Sequence, residues 1–218
     1  MPAGARVADV GTDHGHLPIR LLERGRIPSA IASDLREGPL SSARENALRA
    51  GVGDRMQFRL CDGLAGVAPG EADAVVIAGM GGETIRAILE AAPWTRRGGH
   101  TLILQPMTKA GALREFLYLG GYAVTAERLV RDGGRLYVVL RAAGGGEPLP
   151  RSPGVYLAGE AALHRGDPLE KEYLEMHIRR LRRALDGASR SARGDPPRAA
   201  RMHEALSELN AWRKELEP

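Results

Sequence analysis

The chain has 218 residues, 43% of them hydrophobic and 27% charged, and a formal net charge of +4. That balance supports a globular core and excludes wholesale disorder. No apolar run approaches the ~18 residues of a membrane helix, no basic-then-apolar leader opens the chain, and the single Cys61 excludes a disulfide framework or multi-thiolate zinc site. A soluble cytoplasmic protein is expected.

From Arg6 to Arg141, short runs of strand-forming residues alternate with helical stretches. The runs are Val7–Val10, Ala30–Asp34, Met56–Cys61, Ala74–Ala78 and Thr101–Gln105. The first, fourth and fifth are apolar without alternation, as in parallel strands covered on both faces. Helices are predicted at Leu17–Arg24, Pro39–Ala50, Glu83–Ala91 and Lys109–Leu119. Pro39 suits a first helical turn, and Gly25, Gly51 and Gly120 are placed as stops. Five β-then-α units imply right-handed crossovers and an open doubly wound sheet. Tyr122–Val130 and Arg135–Arg141, joined across Asp132-Gly133-Gly134, then read as a β-hairpin. The expected fold is α/β and Rossmann-like, a mostly parallel seven-stranded sheet ending in an antiparallel hairpin.

Past Gly144-Gly-Gly146 and three prolines, the composition shifts to helix formers, and a domain boundary is set between residues 143 and 144. Leu174, Ile178, Leu181 and Leu185 form one narrow seam, and Met202, Leu206, Leu209 and Leu216 another. Both have the spacing of a helical hairpin or coiled coil, with Arg193–Pro197 as the expected turn.

In an open α/β sheet, ligands bind beyond the carboxyl ends of the strands. The first run is followed by Asp9-Val-Gly11-Thr-Asp13-His14-Gly15, the second ends in Asp34, and the third in Asp62-Gly63. Gly11 and Gly15 would let the backbone approach a ligand, although a tight turn alone also explains them. A pyrophosphate needs bare N–H groups and positive potential, which Asp9 and Asp13 oppose. A sulfonium cofactor with its ammonium group reverses that argument. Asp34 then has the position of a ribose-binding acid, and Asp62 could accept from an adenine amino group. Three consecutive acidic strand ends therefore point to S-adenosylmethionine, against the alternative of solvated loop aspartates. His14 and His16 beside Asp13 have the composition of a metal triad but lack further partners, so no metal is expected. His100, His164, His177 and His203 are scattered, and surface or capping roles suffice for them. Cys61 reads as a small core residue, and core packing is the expected job of Trp94, Tyr118 and Tyr122. The Asn/Asp-Pro-Pro-aromatic motif that clamps an exocyclic amine is replaced by Gly79-Met-Gly-Gly82 after the fourth strand, which favours a ring nitrogen as acceptor.

Val7-Ala-Asp-Val-Gly-Thr-Asp-His-Gly-His-Leu-Pro18, Asp62-Gly63, Ile77-Ala-Gly-Met-Gly-Gly82, Leu102-Ile-Leu-Gln-Pro106 and Asp132-Gly-Gly-Arg-Leu-Tyr137 together resemble the bacterial tRNA (adenine-22-N1)-methyltransferase family, TrmK-like. The resemblance runs from Arg6 to Ala142. It implies a class I Rossmann-like methyltransferase with a C-terminal coiled coil, acting on tRNA with S-adenosylmethionine. Carried over by position, the cofactor-binding set is Asp9, Gly11, Asp13, His14, Asp34, Leu35, Asp62, Gly63, Ala78 and Gly79. The family usually has Asn where this chain has Met107, and an aromatic residue at His16. It also carries a leading helix, where five residues precede Arg6 here, so the chain is expected to be truncated or its start misplaced.

Adenine N1 has a free lone pair at neutral pH, so alignment and a dry site matter most. A carboxylate would stabilise the cationic methylated ring or accept the amino proton. Asp13 is the first catalytic candidate and His14 the second. Arg179, Arg180, Arg182 and Arg183 are expected to contact tRNA phosphates, with a solvated helix face as the alternative. Two other readings stay open, a class I methyltransferase acting on another substrate and a non-catalytic adenosyl-binding RNA chaperone. The oligomeric state is left open, with a monomer favoured.

Overall fold

The computed structural model describes residues 2–189 and 195–217. Its first half runs β1 (Val7–Val10), α1 (His16–Glu23), β2 (Ala30–Asp34), α2 (Glu37–Arg49), β3 (Met56–Leu60), β4 (Ala74–Gly81), α3 (Gly82–Ala91), β5 (Thr101–Thr108), α4 (Ala110–Leu119), β6 (Ala123–Asp132) and β7 (Arg135–Ala143). The seven strands form one sheet in the order β3-β2-β1-β4-β5-β7-β6. Strands β1 to β5 pair in parallel, while β7 runs antiparallel to both β5 and β6. The hairpin turn is Gly133-Gly134, between the paired Asp132 and Arg135. Its φ angles of 51° and 73° suit the type I′ geometry that matches strand twist.

Three expectations are corrected. No α-helix follows β3, so there are four β-then-α units and not five; a 3-10 turn at Pro69–Glu71 makes the link. Gly63, Gly66, Pro69 and Gly70 deny that segment helical continuity, while its Leu64 and Val67 are buried in the core. Strands β4 and β5 run on through Gly81 and Thr108, with register shifts around Met80. Gly79, Met80 and Gly81 thus form the irregular end of a central strand, and Pro106 lies within β5.

Successive residues of the central strands point to opposite faces, and two cores result. Val7, Ala30, Ala74 and Val76 pack with Ile19 and Leu22 of α1 and Ala47 of α2. Ala8, Val10, Val75, Ile77, Leu102 and Leu104 pack with Ile85 and Leu89 of α3 and Leu113 and Leu117 of α4.

The tail adds α5 (Pro153–Ala158), α6 (Ala161–His164), α7 (Glu170–Ser189) and α8 (Pro196–Glu215). Helices α7 and α8 pack on each other. Leu174, Ile178 and Leu181 are buried, as are Ala205 and Leu209, and all five join the core over α3 and α4. Of the expected turn, residues 193 and 194 lie outside the described residues. Asp195 caps α8 by accepting from the Arg198 N–H at 3.1 Å, and Pro196 and Pro197 begin the helix.

An ion pair at the junction is fully buried. The Arg114 guanidinium donates to Glu127 from Nε (2.8 Å) and Nη2 (2.6 Å), both side chains having zero exposure. It also donates to the Leu157 carbonyl (2.9 Å) and the Tyr173 hydroxyl (3.2 Å). His164 Nε2 stands 3.0 Å from Glu127 Oε2. Burial works to raise the Glu127 pKa, but Arg114 and His164 outweigh it and hold it at about 2. His164 and His177 are thus buried in the junction, correcting the expectation of surface roles. Tyr118 and Tyr122 are buried, as expected. No helix among the described residues is long and apolar enough to cross a membrane.

Candidate active site

The turn leaving β1 is built by glycine geometry. Gly11 has φ +68°, and a Cβ there would meet Met80 Cε at 2.1 Å. The Gly11 and Thr12 N–H groups both donate to the Ser33 carbonyl, at 2.9 and 3.0 Å, tying this turn to the end of β2. Asp13 also has positive φ, 52°, a conformation non-glycine residues adopt at some cost and often at functional sites. Its N–H donates to Asp34 Oδ2 (3.3 Å), while the Arg36 N–H donates to Asp34 Oδ1 (3.0 Å). Asp34 therefore braces two loops, and each oxygen retains lone-pair capacity for a ligand hydroxyl.

These loops enclose a cavity of about 470 Å³ at the tips of β1, β2, β3 and β4. Of the ten residues expected to bind cofactor, eight line it: Gly11, Asp13, Asp34, Leu35, Asp62, Gly63, Ala78 and Gly79. Asp9 and His14 do not. Asp9 is buried beneath the turn, where Thr12 Oγ1 donates to its carboxylate at 2.6 Å. Burial raises its pKa to about 6 against the smaller lowering effect of that bond. His14 contributes its carbonyl, which accepts from Asn46 Nδ2 at 3.0 Å and ties the turn to α2. Its half-exposed ring has Nε2 3.7 Å from Asp13 Oδ1. The rings of His14 and His16 are 5.7 Å apart, and among the described residues no three His, Cys, Asp or Glu side chains converge as metal ligands.

The wall also contains residues not singled out in the sequence, notably Arg36, Thr84 and Ile88. Cys61 lines it too, just past β3 and only partly buried, so it is not the core residue expected. Leu35 is two-thirds exposed, leaving an apolar surface on the wall for a planar ring. Gln105 positions the fourth tip, its Oε1 accepting from the Gly79 N–H at 2.9 Å.

The cavity suits an adenosyl sulfonium. A Cβ at Gly63 would touch Ile88 at 3.0 Å, so glycines keep this floor flat as at Gly11. Asp13, Asp34 and Asp62 line it, against one guanidinium, Arg36. Carboxylates at three tips favour a cationic ligand with donor hydroxyls over a diphosphate.

The four tail arginines are all exposed on α7 but do not form one patch. At about 100° per residue they fan around the helix. Arg179 and Arg182 flank a groove with Arg213, while Arg180 turns to a separate cavity that includes Lys109. Arg179 is also paired with Glu175 at 3.6 Å.

A family model described as a methyltransferase domain matches residues 1–140. The chain belongs to that family. Within it, the likeness is to the TrmK-like class I methyltransferases. The tRNA (adenine(22)-N(1))-methyltransferase of Bacillus subtilis is 40% identical over 145 residues, 66% of this chain and 61% of the relative. The matched region thus spans about three fifths of the curated relatives' length. The crystal structure of the B. subtilis m1A22 tRNA methyltransferase TrmK superposes with a TM-score of 0.85 at 29% identity, covering 97% of this chain and 93% of that one. Streptococcus pneumoniae Sp1610 in complex with S-adenosyl-L-methionine gives 0.79 at 29% identity, covering 97% and 93%. These likenesses extend over the tail helices as well as the sheet.

Proposed function

We propose that this chain methylates N1 of adenine 22 in tRNA, using S-adenosylmethionine. The observation that carries the reading is the cavity, where adjoining strand tips carry Asp13, Asp34 and Asp62 and the relative matched at 40% identity is an m1A22 enzyme. When bound, the cofactor supplies the methyl group as an electrophile on a sulfonium.

The protein's part is positioning and charge. Asp34 accepts ribose hydroxyls with the lone pairs its two loop contacts leave free. Leu35 and Ile88 provide apolar surface for the adenine, and Asp62 accepts from its amino group. The backbone of Gly11 and Gly79 admits the rest of the ligand at close range. His14 reaches this site as the backbone anchor of the turn and as the neighbour of Asp13. The target adenine is flipped from its stack, and its N1 lone pair attacks without prior deprotonation. As the ring becomes cationic, Asp13 stabilises that charge or takes the amino proton. We divide the chain into a catalytic unit, residues 1–143, and a helical unit, 144–218, which packs onto the same core and brings arginines to the tRNA backbone. We place the protein in the cytoplasm, as a monomer.

The test is incubation with unmodified tRNA and labelled cofactor, then mapping of the product. Label in 1-methyladenine at position 22 is the expected result; label elsewhere, or none, refutes the reading.

A further inference from the structure

A second cavity, of about 420 Å³, lies between the sheet and the tail and shares no lining residue with the first. Its sheet side is formed by Pro106–Gly111 and by Leu136–Val138 at the start of β7. Because β7 runs opposite to β5, its beginning lies at the edge of the sheet where β5 ends. The cavity is therefore beside the proposed reaction centre. The tail side includes Met176, His177, Arg180, Arg198 and Met202.

Three features single it out. Lys109, Arg180 and Arg198 line it, and no carboxylate does. Lys109 is engaged by Glu83 at 3.5 Å, whereas neither the Arg180 nor the Arg198 guanidinium has an ion-pair partner among the described residues. The walls are otherwise apolar and polarisable, with Met107, Met176, Met202 and Tyr137 available to pack on a planar ring. At its back is His177, 7% exposed, with neither ring nitrogen hydrogen-bonded among the described residues. Tyr173 holds the ring edge-on at 4.6 Å. Burial first, then Arg114, Arg180 and His164, lowers its pKa to about 3. The imidazole is thus neutral at pH 7 and presents one donor and one acceptor. A buried polar group without partners is costly and usually has an occupant to meet it.

We propose that this cavity binds a second, unstacked RNA nucleotide next to the methylated one, with His177 hydrogen-bonded to its base edge and Arg180 and Arg198 on its phosphate. The inference rests on the tRNA reading for the identity of the RNA, but its site can be tested separately. The volume falls in the ordinary ligand range, and the mixture of apolar walls with cations at the mouth fits a base carrying a phosphate.

The deciding experiment follows the His177 ring signals by NMR while AMP is added to protein saturated with S-adenosylhomocysteine, which keeps AMP out of the first cavity. A saturable shift, lost in Arg180→Ala and not reproduced by inorganic phosphate, supports the proposal. No shift up to the solubility limit, or an equal one with phosphate alone, overturns it. In parallel, His177→Phe fills the same space without hydrogen bonds. It should raise KM for tRNA about tenfold, the scale of one lost hydrogen bond, with kcat and cofactor affinity unchanged. An unaltered KM in both His177→Phe and Arg180→Ala also overturns it. If the wild type methylates no tRNA, the functional reading fails, and the AMP titration still decides the cavity.

Discussion

Asp9, in β1, and Asp13, four residues on in the turn that follows, have opposite duties in the proposed reading. Asp13 is exposed and is the carboxylate proposed to meet the ligand; removing it should cost little stability. Asp13→Ala is expected to lower kcat at saturating cofactor by about 10²-fold or more, the usual worth of a positioned acid–base group, with only a small fall in melting temperature, since alanine tolerates the positive φ less well than aspartate. Activity near the wild-type rate would remove Asp13 from its role. Asp9 is buried, and its carboxyl is harder to ionise in the fold than in the open chain, with pKa rising from 3.8 to about 6. Its contribution to stability is therefore fully present below pH 4 and is lost as pH rises through 6. The shift corresponds to roughly 3 kcal/mol. Asp9→Asn should stabilise the protein by up to that amount at pH 8 and by almost nothing at pH 3.5, as measured by urea denaturation at the two pH values. The acid tips were legible in the sequence because each follows an apolar run. Their division into buried and exposed was not, since it depends on Thr12 turning back over Asp9.

At the scale of elements, the strands and helices of the sheet followed from run length and glycine punctuation. The departures have local causes. The segment after β3 buries Leu64 and Val67 without a helix, and β4 and β5 continue past residues that read as breakers because they pair with each other as far as Gly81 and Thr108. The roles of Arg114, Glu127, His164 and His177 were hidden, since a charged or imidazole side chain on a helix or an edge strand normally faces water and only contacts distant in sequence bury these. Helix α8 depends on its first residues. Asp195 satisfies a free N–H at its start, and Asp195→Ala is expected to destabilise the protein by about 1 kcal/mol. Thermal unfolding measures this, and Asp195→Asn, which can still cap, should recover most of it.

For the whole molecule, Arg114 links α4, β6, α5 and α7 through one guanidinium. Arg114→Met would leave the buried Glu127 charge with only His164 beside it, at a cost of about 3–5 kcal/mol. Removing both charges, as Arg114→Met with Glu127→Leu, should restore much of that loss. Equal losses in single and double variants would show that the helix contacts, not the pairing, matter. If the proposed function holds, affinity for tRNA should fall steeply with salt, because contacts from scattered arginines act through phosphate neutralisation.

The order in which that linkage assembles follows from the chain itself. Arg114 and Glu127 are only 13 positions apart, so during synthesis they can meet while the later helices are still being made. At that stage water shields them, and their attraction is weak. Arrival of α5 to α7 excludes the water, so the last third of the polypeptide converts a loose early contact into a strong one. A chain stopped short of α7 is therefore expected to keep the two side chains near each other in water, with neither the desolvation cost nor the strengthened attraction that burial brings.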